Sequence, residues 1–228
     1  STVQVDPSGC FSIGTYTGTG SAATIGHGLS SAPTFYVIKD LVSLNDWAVY
    51  AEGVASDPQT DYLSLNTTAA AADDSTYWND TAPTTAVFSI GTNADVNTNT
   101  NTYVAYAFAN VEGYIKAGSF IGSGITNGAF IYTGFRPSLV VRRRFDASTS
   151  GSWMVKDDAR NPINDASIEV LTWNDSQAEN AQGETSDGID FLSNGFKVKA
   201  TNNGSNGSGL KYVYIAWAAT PFQYSTAF

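Results

Sequence analysis

Residues that commonly carry catalysis are scarce in this chain. It has one histidine, His27, and one cysteine, Cys10. Any Ser–His–Asp or Cys–His arrangement would have to use that histidine, which lies between two glycines in a segment typical of a turn. We interpret His27 as a surface turn residue, and Cys10 as a small buried apolar residue rather than a reactive thiol.

Metal-binding patterns are incomplete. A zinc site needs three or four His, Cys or carboxylate ligands, and one histidine with one cysteine does not supply them. Residues 95–99 (DVNTN) resemble the start of a calcium loop, but Thr100 and Tyr106 stand where that loop requires Gly and Glu. We interpret this segment, and 187–190 (DGID), as solvated loops, with an irregular calcium site as the alternative. The sequence therefore predicts no regular metal site and no cofactor.

The acidic residues are poorly arranged for sugar hydrolysis, which uses two closely placed carboxylates. Asp73 and Asp74 are adjacent, as are Asp157 and Asp158, and adjacent residues on a strand point to opposite faces. The chain has five glutamates, none of them in an alternating acidic cluster. We therefore predict no catalytic residue and no enzymatic activity.

Two segments combine aromatic rings with Asn and Asp, as sugar-binding sites do. The seven candidate ligand-binding residues are Tyr77, Trp78, Asn79, Asp80, Trp173, Asn174 and Asp175. Exposed rings could stack on a sugar while the polar groups bond around it. The alternative is that these aromatics anchor their own loops.

The charge of the chain excludes one class of partner. Its formal net charge is −10, whereas binding to nucleic-acid phosphates needs a basic face. The one basic run, Arg142 to Arg144, alternates between the two faces of a strand and predicts a sheet edge or an interface. No run approaches the ~20 apolar residues of a membrane span, so membrane insertion is not expected.

An internal repeat in the sequence predicts the strands that position these residues. Residues 102–109 (TYVAYAFA) return as 211–218 (KYVYIAWA). Each copy alternates with a period of two, which predicts a strand. Neither face of this strand is polar, so we expect it to lie in the middle of a sheet.

Other segments match at offsets of 104 to 109 positions, and the insertions fall in polar loops, as expected of a duplicated unit. The matched pairs are 11–20 with 117–124, 28–39 with 134–143, 47–50 with 153–156, 62–65 with 168–171, and 87–90 with 196–199. The polar loops are 66–85, 172–187, 93–101 and 202–209.

The number and spacing of these repeated strands predict an all-β protein of two tandem antiparallel β-sandwiches. Each sandwich is of jelly-roll or immunoglobulin-like size, the first at residues 1–113 and the second at 114–228. A single jelly roll built from both halves is the alternative. On the two repeated strands we expect the face with the larger apolar groups to be the core face. Those residues are Val104, Tyr106, Phe108, Val213, Ile215 and Trp217.

Several segments resemble a known family. They are GSFIGSG at 118–124, FIYTGFRP at 130–137, DDARNP at 157–162, IDFLSNGFK at 189–197 and the strand 212–218. Together they resemble an uncharacterised β-rich repeat domain of tail, fibre and other virion-associated proteins of tailed phages and prophages. The resemblance implies a virion-surface, extracellular setting and no activity, and it supplies no catalytic residue.

We therefore expect a virion structural or adhesion module, of the tail-fibre, head-fibre or capsid-decoration type. Its expected partners are other virion proteins, further copies of itself in a homo-oligomer, and host-surface glycans. The alternatives are a carbohydrate-binding module and a polysaccharide-degrading enzyme. The second alternative lacks an acid/base pair in the sequence.

Overall fold

A computed structural model describes residues 1–147, 151–160, 164, 170–176, 178 and 188–220. The chain divides into two compact units. Unit 1 comprises Ser1–Asn66 and Ala71–Val111, and unit 2 comprises Thr67–Ala70 and Glu112–Phe228. Half of the predicted strand 168–171 and most of the predicted loop 172–187 lie outside the described residues.

Unit 1 contains nine strands and two single-turn helices. These are β1 Thr2–Val5, β2 Phe11–Thr17, β3 Ala23–Gly26, β4 Phe35–Asp40, β5 Ala48–Ala51, β6 Asp61–Ser64, β7 Ala72–Asp73, α1 Ser75–Trp78, β8 Val87–Ile90, α2 Ala94–Asn97 and β9 Thr102–Phe108. Seven strands form one sheet in the order β1-β2-β9-β4-β5-β6-β7, and β3 pairs with β8.

The described part of unit 2 contains eight strands. These are β10 Ile115–Ile121, β11 Phe130–Tyr132, β12 Pro137–Arg144, β13 Met154–Asp157, β14 Leu171–Thr172, β15 Ile189–Leu192, β16 Gly195–Val198 and β17 Lys211–Ala218. They form a five-stranded sheet, β10-β17-β12-β13-β14, and a three-stranded sheet, β11-β16-β15.

The all-β prediction is confirmed, since the described chain consists of antiparallel sheets and two helices of one turn each. The central position of the repeated strand is also confirmed. β9 lies between β2 and β4, and β17 lies between β10 and β12. Neither of the described helices is long and apolar enough to cross a membrane.

The prediction of the core face is wrong for β9. Its opposite face, Tyr103, Ala105, Ala107 and Ala109, joins the main core cluster of unit 1. On the predicted face Val104 is buried, as expected, whereas Tyr106 and Phe108 are only partly buried. The alanines are small because a large ring occupies the neighbouring strand, where Tyr36 of β4 lies opposite Ala107. Alternating large and small residues fills this space without strain.

Tyr36 lies at the centre of this cluster. Its ring stacks on Tyr50 of β5 at 4.6 Å and on Phe88 of β8 at 4.7 Å, and it meets the edge of Trp78 at 5.0 Å. One core cluster therefore includes side chains from the seven-stranded sheet, the two-stranded sheet and α1.

In unit 2, β17 contributes residues from both faces to the buried set. Tyr212, Tyr214 and Ala216 pack in a cluster with Phe191 and Phe196 of the three-stranded sheet. On the other face Val213 and Ile215 are also buried, as predicted, but Trp217 is only partly so.

The basic run does not lie at a sheet edge, so that prediction is wrong. β12 is the middle strand of its sheet, and Arg142, Arg143 and Arg144 are all buried. Arg142 Nη2 donates to Ser205 Oγ at 2.8 Å. The Arg143 guanidinium lies 5.2 Å from the centre of the Trp153 ring. Arg144 forms a salt bridge with Asp146. Burial lowers the pKa of Arg143 to about 10. These cations are held inside unit 2 and form no basic surface.

The size of the alanines on β9 can be tested directly. Ala107 is 1% exposed and faces Tyr36, so Ala107→Leu should overpack the core and lower the free energy of unfolding by about 1–3 kcal/mol. Thr102→Val, at the exposed start of the same strand, is the control and should change it by less than about 0.5 kcal/mol. Urea unfolding measures both. An unchanged midpoint in the Ala107 variant would place the core on the other face of β9.

Candidate functional site

The first predicted sugar-binding segment is part of the core. Trp78 is 0% exposed and Tyr77 is 5% exposed, because α1 places both in the core of unit 1. Trp78 Nε1 donates to the Asp61 carbonyl at 2.9 Å, and the Tyr77 ring stacks on Tyr62 at 3.6 Å. The expectation that these rings are exposed is wrong, and neither can offer its face to a sugar.

The helix itself is defined by its two ends. Asp74 accepts a hydrogen bond from Thr76 N at its start, and Asn79 ends it in the left-handed conformation with φ of 53°. Asp80 follows with φ of 46°. Asn79 and Asp80 are exposed. Because the neighbouring rings are buried, these two residues only form the turn after α1 and do not surround an exposed aromatic ring.

The second predicted segment is arranged differently. Trp173 is 45% exposed, whereas Asn174 turns inward and its Oδ1 accepts from Trp153 N at 2.7 Å. In unit 1 the same bond is made to Trp47 N by Asn66, at 2.9 Å. Asn174 therefore corresponds to Asn66 and not to Asn79, so the likeness between the two predicted segments does not reflect a shared position. Asp175 accepts from Thr172 Oγ1.

A buried asparagine that the sequence analysis placed in a solvated loop is central to unit 1. Asn97, 0% exposed, is the last residue of α2. Its Oδ1 accepts from Thr19 N at 2.8 Å, and its Nδ2 donates to the carbonyls of Ser21 and Gly91 at 2.7 and 2.6 Å. The prediction of a solvated hairpin loop at 95–99 is therefore wrong at this residue.

Unit 2 repeats this arrangement. Asn206, also 0% exposed, accepts from Ser123 N at 2.8 Å and donates to the carbonyls of Ile125 and Ala200 at 3.0 and 2.8 Å. In each unit three chain segments are thus joined by one side-chain amide. We refer to Asn97 and Asn206 as the clamp asparagines.

The tyrosine six positions after each clamp asparagine completes the motif. Tyr103 Oη accepts from Thr98 N at 2.7 Å and donates to the Ala94 carbonyl at 2.8 Å. Tyr212 Oη accepts from Gly207 N at 2.8 Å and donates to the Asn203 carbonyl at 2.7 Å. The signal in the sequence is the spacing Asn-x5-Tyr, which occurs at the start of both repeated strands.

The single histidine is buried, at 2% exposure, so its interpretation as a surface residue is wrong. Its Nδ1 accepts from Leu29 N at 3.1 Å, and since a backbone N–H can only donate, Nδ1 carries no proton. Nε2 then donates to the Thr84 carbonyl at 3.1 Å. Burial lowers the pKa of His27, against the opposing effect of the Thr84 bond. This neutral imidazole has a structural role.

No cluster of three or more His, Cys, Asp or Glu side chains able to hold a metal ion is found in the described residues. The register does bring two carboxylates together that the sequence analysis did not pair. Asp61 of β6 lies opposite Asp73 of β7. Burial, and then Asp73 and Asp57, raise the pKa of Asp61, against a bond from Thr60 that lowers it.

An exposed apolar loop follows β4. Leu41, Val42 and Leu44 are 58%, 65% and 106% exposed, and we refer to residues 41–44 as the apolar loop. Isolated exposed aliphatic residues are ordinary, whereas three in four positions on one loop form an exposed apolar patch.

The backbone of the apolar loop is held from within. Asp40 Oδ1 accepts from the N–H groups of Val42 and Ser43 at 2.8 and 3.1 Å, and its Oδ2 accepts from the amide groups of Asn45 and Asn101, both at 2.8 Å. Burial alone would raise the pKa of Asp40, but these hydrogen bonds lower it. The backbone at the start of the loop is therefore fixed by hydrogen bonds within unit 1.

A second exposed surface lies on the three-stranded sheet of unit 2. Phe130 and Tyr132 of β11 are 46% and 64% exposed, whereas Ile131 between them is buried. They point away from the core on the same face of the strand.

Comparison with protein families gives one match, over residues 1–221, to the family described as "Domain of unknown function (DUF7483)". The chain belongs to this family. The match extends over strands of both units. No curated protein matches the chain, and no solved structure matches it.

The clamp asparagines should each stabilise their own unit. Asn97→Ala removes three hydrogen bonds of a fully buried side chain, and it leaves the buried Gly91 carbonyl without this partner, so the free energy of unfolding should fall by about 2–3 kcal/mol. Asn206→Ala should do the same for unit 2. Hydrogen exchange with mass spectrometry locates the loss, which should appear in β9 for the first variant and in β17 for the second. Asn99→Ala, at an exposed position, is the control, and equal effects of Asn97→Ala and Asn99→Ala would contradict this role.

His27 should make stability depend on pH in a defined direction. A histidine with a lowered pKa in the folded state binds fewer protons there than in the unfolded chain, so its contribution is fully present above the ordinary pKa of 6.5 and is lost as the pH falls below it. The decline can reach about 1.4 kcal/mol per pH unit. Urea unfolding between pH 7 and pH 5 measures it. His27→Asn retains an acceptor for Leu29 N and should flatten this part of the profile; the same slope in both proteins would show that His27 is not its source.

Proposed function

We propose that this protein is a structural and adhesion module on the surface of a phage particle, present in many copies and without catalytic turnover. The observation that carries the proposal is the apolar loop, which exposes three aliphatic side chains on a backbone that Asp40 holds by hydrogen bonds. A contact surface ordered in advance loses little conformational entropy on assembly. The resemblance of segments 118–124, 130–137 and 189–197 to virion-associated proteins supplies the setting.

We propose further that each unit is an antiparallel β-sandwich and that the two arose by duplication. The repeated clamp supports this, because Asn97 and Asn206 make the same three kinds of bond and are followed at the same spacing by Tyr103 and Tyr212. The repeated strand order supports it as well, since β2-β9-β4-β5-β6 and β10-β17-β12-β13-β14 follow the same sequence of connections. Sandwich domains are displayed in symmetric copies in many assemblies, where weak contacts add through high effective concentration.

The second candidate function is carbohydrate binding, and the exposed pair Phe130 and Tyr132 favours it. Binding of host-surface glycans is compatible with a virion location, so the two functions can belong to one protein.

A polysaccharide-degrading enzyme is the third candidate function. Its carboxylate pair would be Asp61 and Asp73, and turnover on purified capsule that Asp61→Asn abolishes would support it in place of our proposal.

The proposal is tested by assembly. Light scattering on the purified chain should show an oligomer, and immunogold imaging should place the chain on native particles. Leu44→Asp puts a charge on the apolar loop, and we expect it to weaken self-association about tenfold or more, because an unpaired charge in a contact surface is costly. Leu44 is fully exposed, so circular dichroism and the urea midpoint should not change.

Ile125→Asp introduces the same charge at a 56% exposed aliphatic residue of unit 2 and is the matched control. A chain that is monomeric at all concentrations and absent from particles would contradict the proposed function. Self-association that Leu44→Asp and Ile125→Asp weaken equally would contradict the role of the apolar loop.

A further inference from the structure

The strand register of the three-stranded sheet places six residues on one outward face. They form two rows that run across the sheet. The first row consists of Phe130, Lys197 and Asp190, and the second consists of Tyr132, Gly195 and Leu192. The row between them, Ile131, Phe196 and Phe191, is 7%, 0% and 2% exposed and fills the core. Because side chains alternate along each strand, the other two rows face solvent.

Gly195 lets the Phe130 ring lie directly over the middle strand of this sheet. A Cβ there would lie 2.1 Å from the Ile131 carbonyl oxygen and 2.9 Å from the Phe130 ring, so no larger residue fits. The Phe130 ring therefore lies over Gly195, which is buried, and Tyr132 is exposed two positions further along the same strand. The result is a shallow face with two aromatic rings on β11 and Lys197 on the neighbouring strand.

The charge of this face differs from that of the chain. Asp190 is neutralised by Lys199, with 3.3 Å between Nζ and Oδ2, and Lys197 adds a further positive charge beside Phe130. A net positive face on a chain of net charge −10 is complementary to an anionic ligand. The exposed rings require that this ligand also has an apolar face.

We propose that the outward face of the three-stranded sheet binds acidic glycans that contain uronate residues. The C–H face of a sugar ring stacks on Tyr132 and Phe130, and the uronate carboxylate accepts a hydrogen bond from the Lys197 ammonium. The shallow face suits a chain polymer that lies along it better than a small ligand that needs a deep pocket. This inference rests on the proposed adhesion function and names its site and ligand class.

The first predicted sugar-binding segment offers no exposed ring, whereas β11 does. Trp78 has the larger ring but is 0% exposed, and Tyr132 is 64% exposed. Phe130 also covers Gly195, so its replacement would disturb the sheet itself. Tyr132 is therefore the better position for a test of binding.

Binding is measured with the full chain, biotinylated and displayed on streptavidin beads so that weak sites act together. The probes are polygalacturonate and hyaluronan, which carry uronates, and dextran, which is neutral. We expect both acidic polymers to bind and dextran not to. Tyr132→Ala should weaken binding about 5- to 10-fold per site, the usual worth of an aromatic contact. Lys197→Gln should weaken it about threefold at low salt and reduce its salt dependence.

The matched controls have the same chemistry at other positions. Trp173→Ala removes an aromatic residue that is 45% exposed, and Lys211→Gln removes an exposed lysine of β17; neither should change binding. Binding of acidic polymers that Tyr132→Ala leaves intact, or that Trp173→Ala removes, would overturn this site while leaving the adhesion function standing. Equal binding of dextran, or no binding of either acidic polymer, would overturn the ligand class. Absence of the chain from particles would instead contradict the proposed function itself.

Discussion

The need to satisfy buried backbone groups at the start of the central strand organises both units. A loop that enters the interior brings N–H and C=O groups that lose their water, and each one left unpaired costs free energy. In unit 1 the Asn97 amide and the Tyr103 hydroxyl together satisfy five such groups, and Asn206 and Tyr212 do the same in unit 2. The position of the central strand depends on these bonds.

The same bonds explain which surfaces are left for function. With α2 held down by Asn97, its neighbour Asp95 accepts hydrogen bonds from Tyr77 Oη and from Asp46 N. This ties the loop after β4 to the core through the segment that follows the apolar loop. Hydrogen bonds to Asp40 and Asp95 thus hold the backbone on both sides of the apolar loop. Unit 2 offers instead a flat outward sheet face around Gly195.

Charge divides the two units in a similar way. Residues 1–111 contain ten acidic residues and one basic residue, so unit 1 resists non-specific association with anionic surfaces. Unit 2 contains most of the cations, but Arg142 and Arg143 are fully buried and only a few lysines remain at its surface. A small positive face on such a chain is consistent with weak and selective recognition of an anionic polymer.

The sequence by itself determined the two central strands and most of their neighbours in the larger sheets, because alternation with a period of two is a local property; it did not predict β1, β3, β7 or β15. It also determined the central position of 102–109 and 211–218, since both faces of each are apolar. It could not decide which face of β9 is the core, because that depends on Tyr36 of β4, which is distant in sequence and lies opposite Ala107. The burial of His27 and Trp78 and the exposure of Trp173 and Tyr132 were likewise set by tertiary structure. Burial depends on which distant residues pack against a side chain, so it cannot be predicted from the glycines or polar residues that flank that side chain in the sequence.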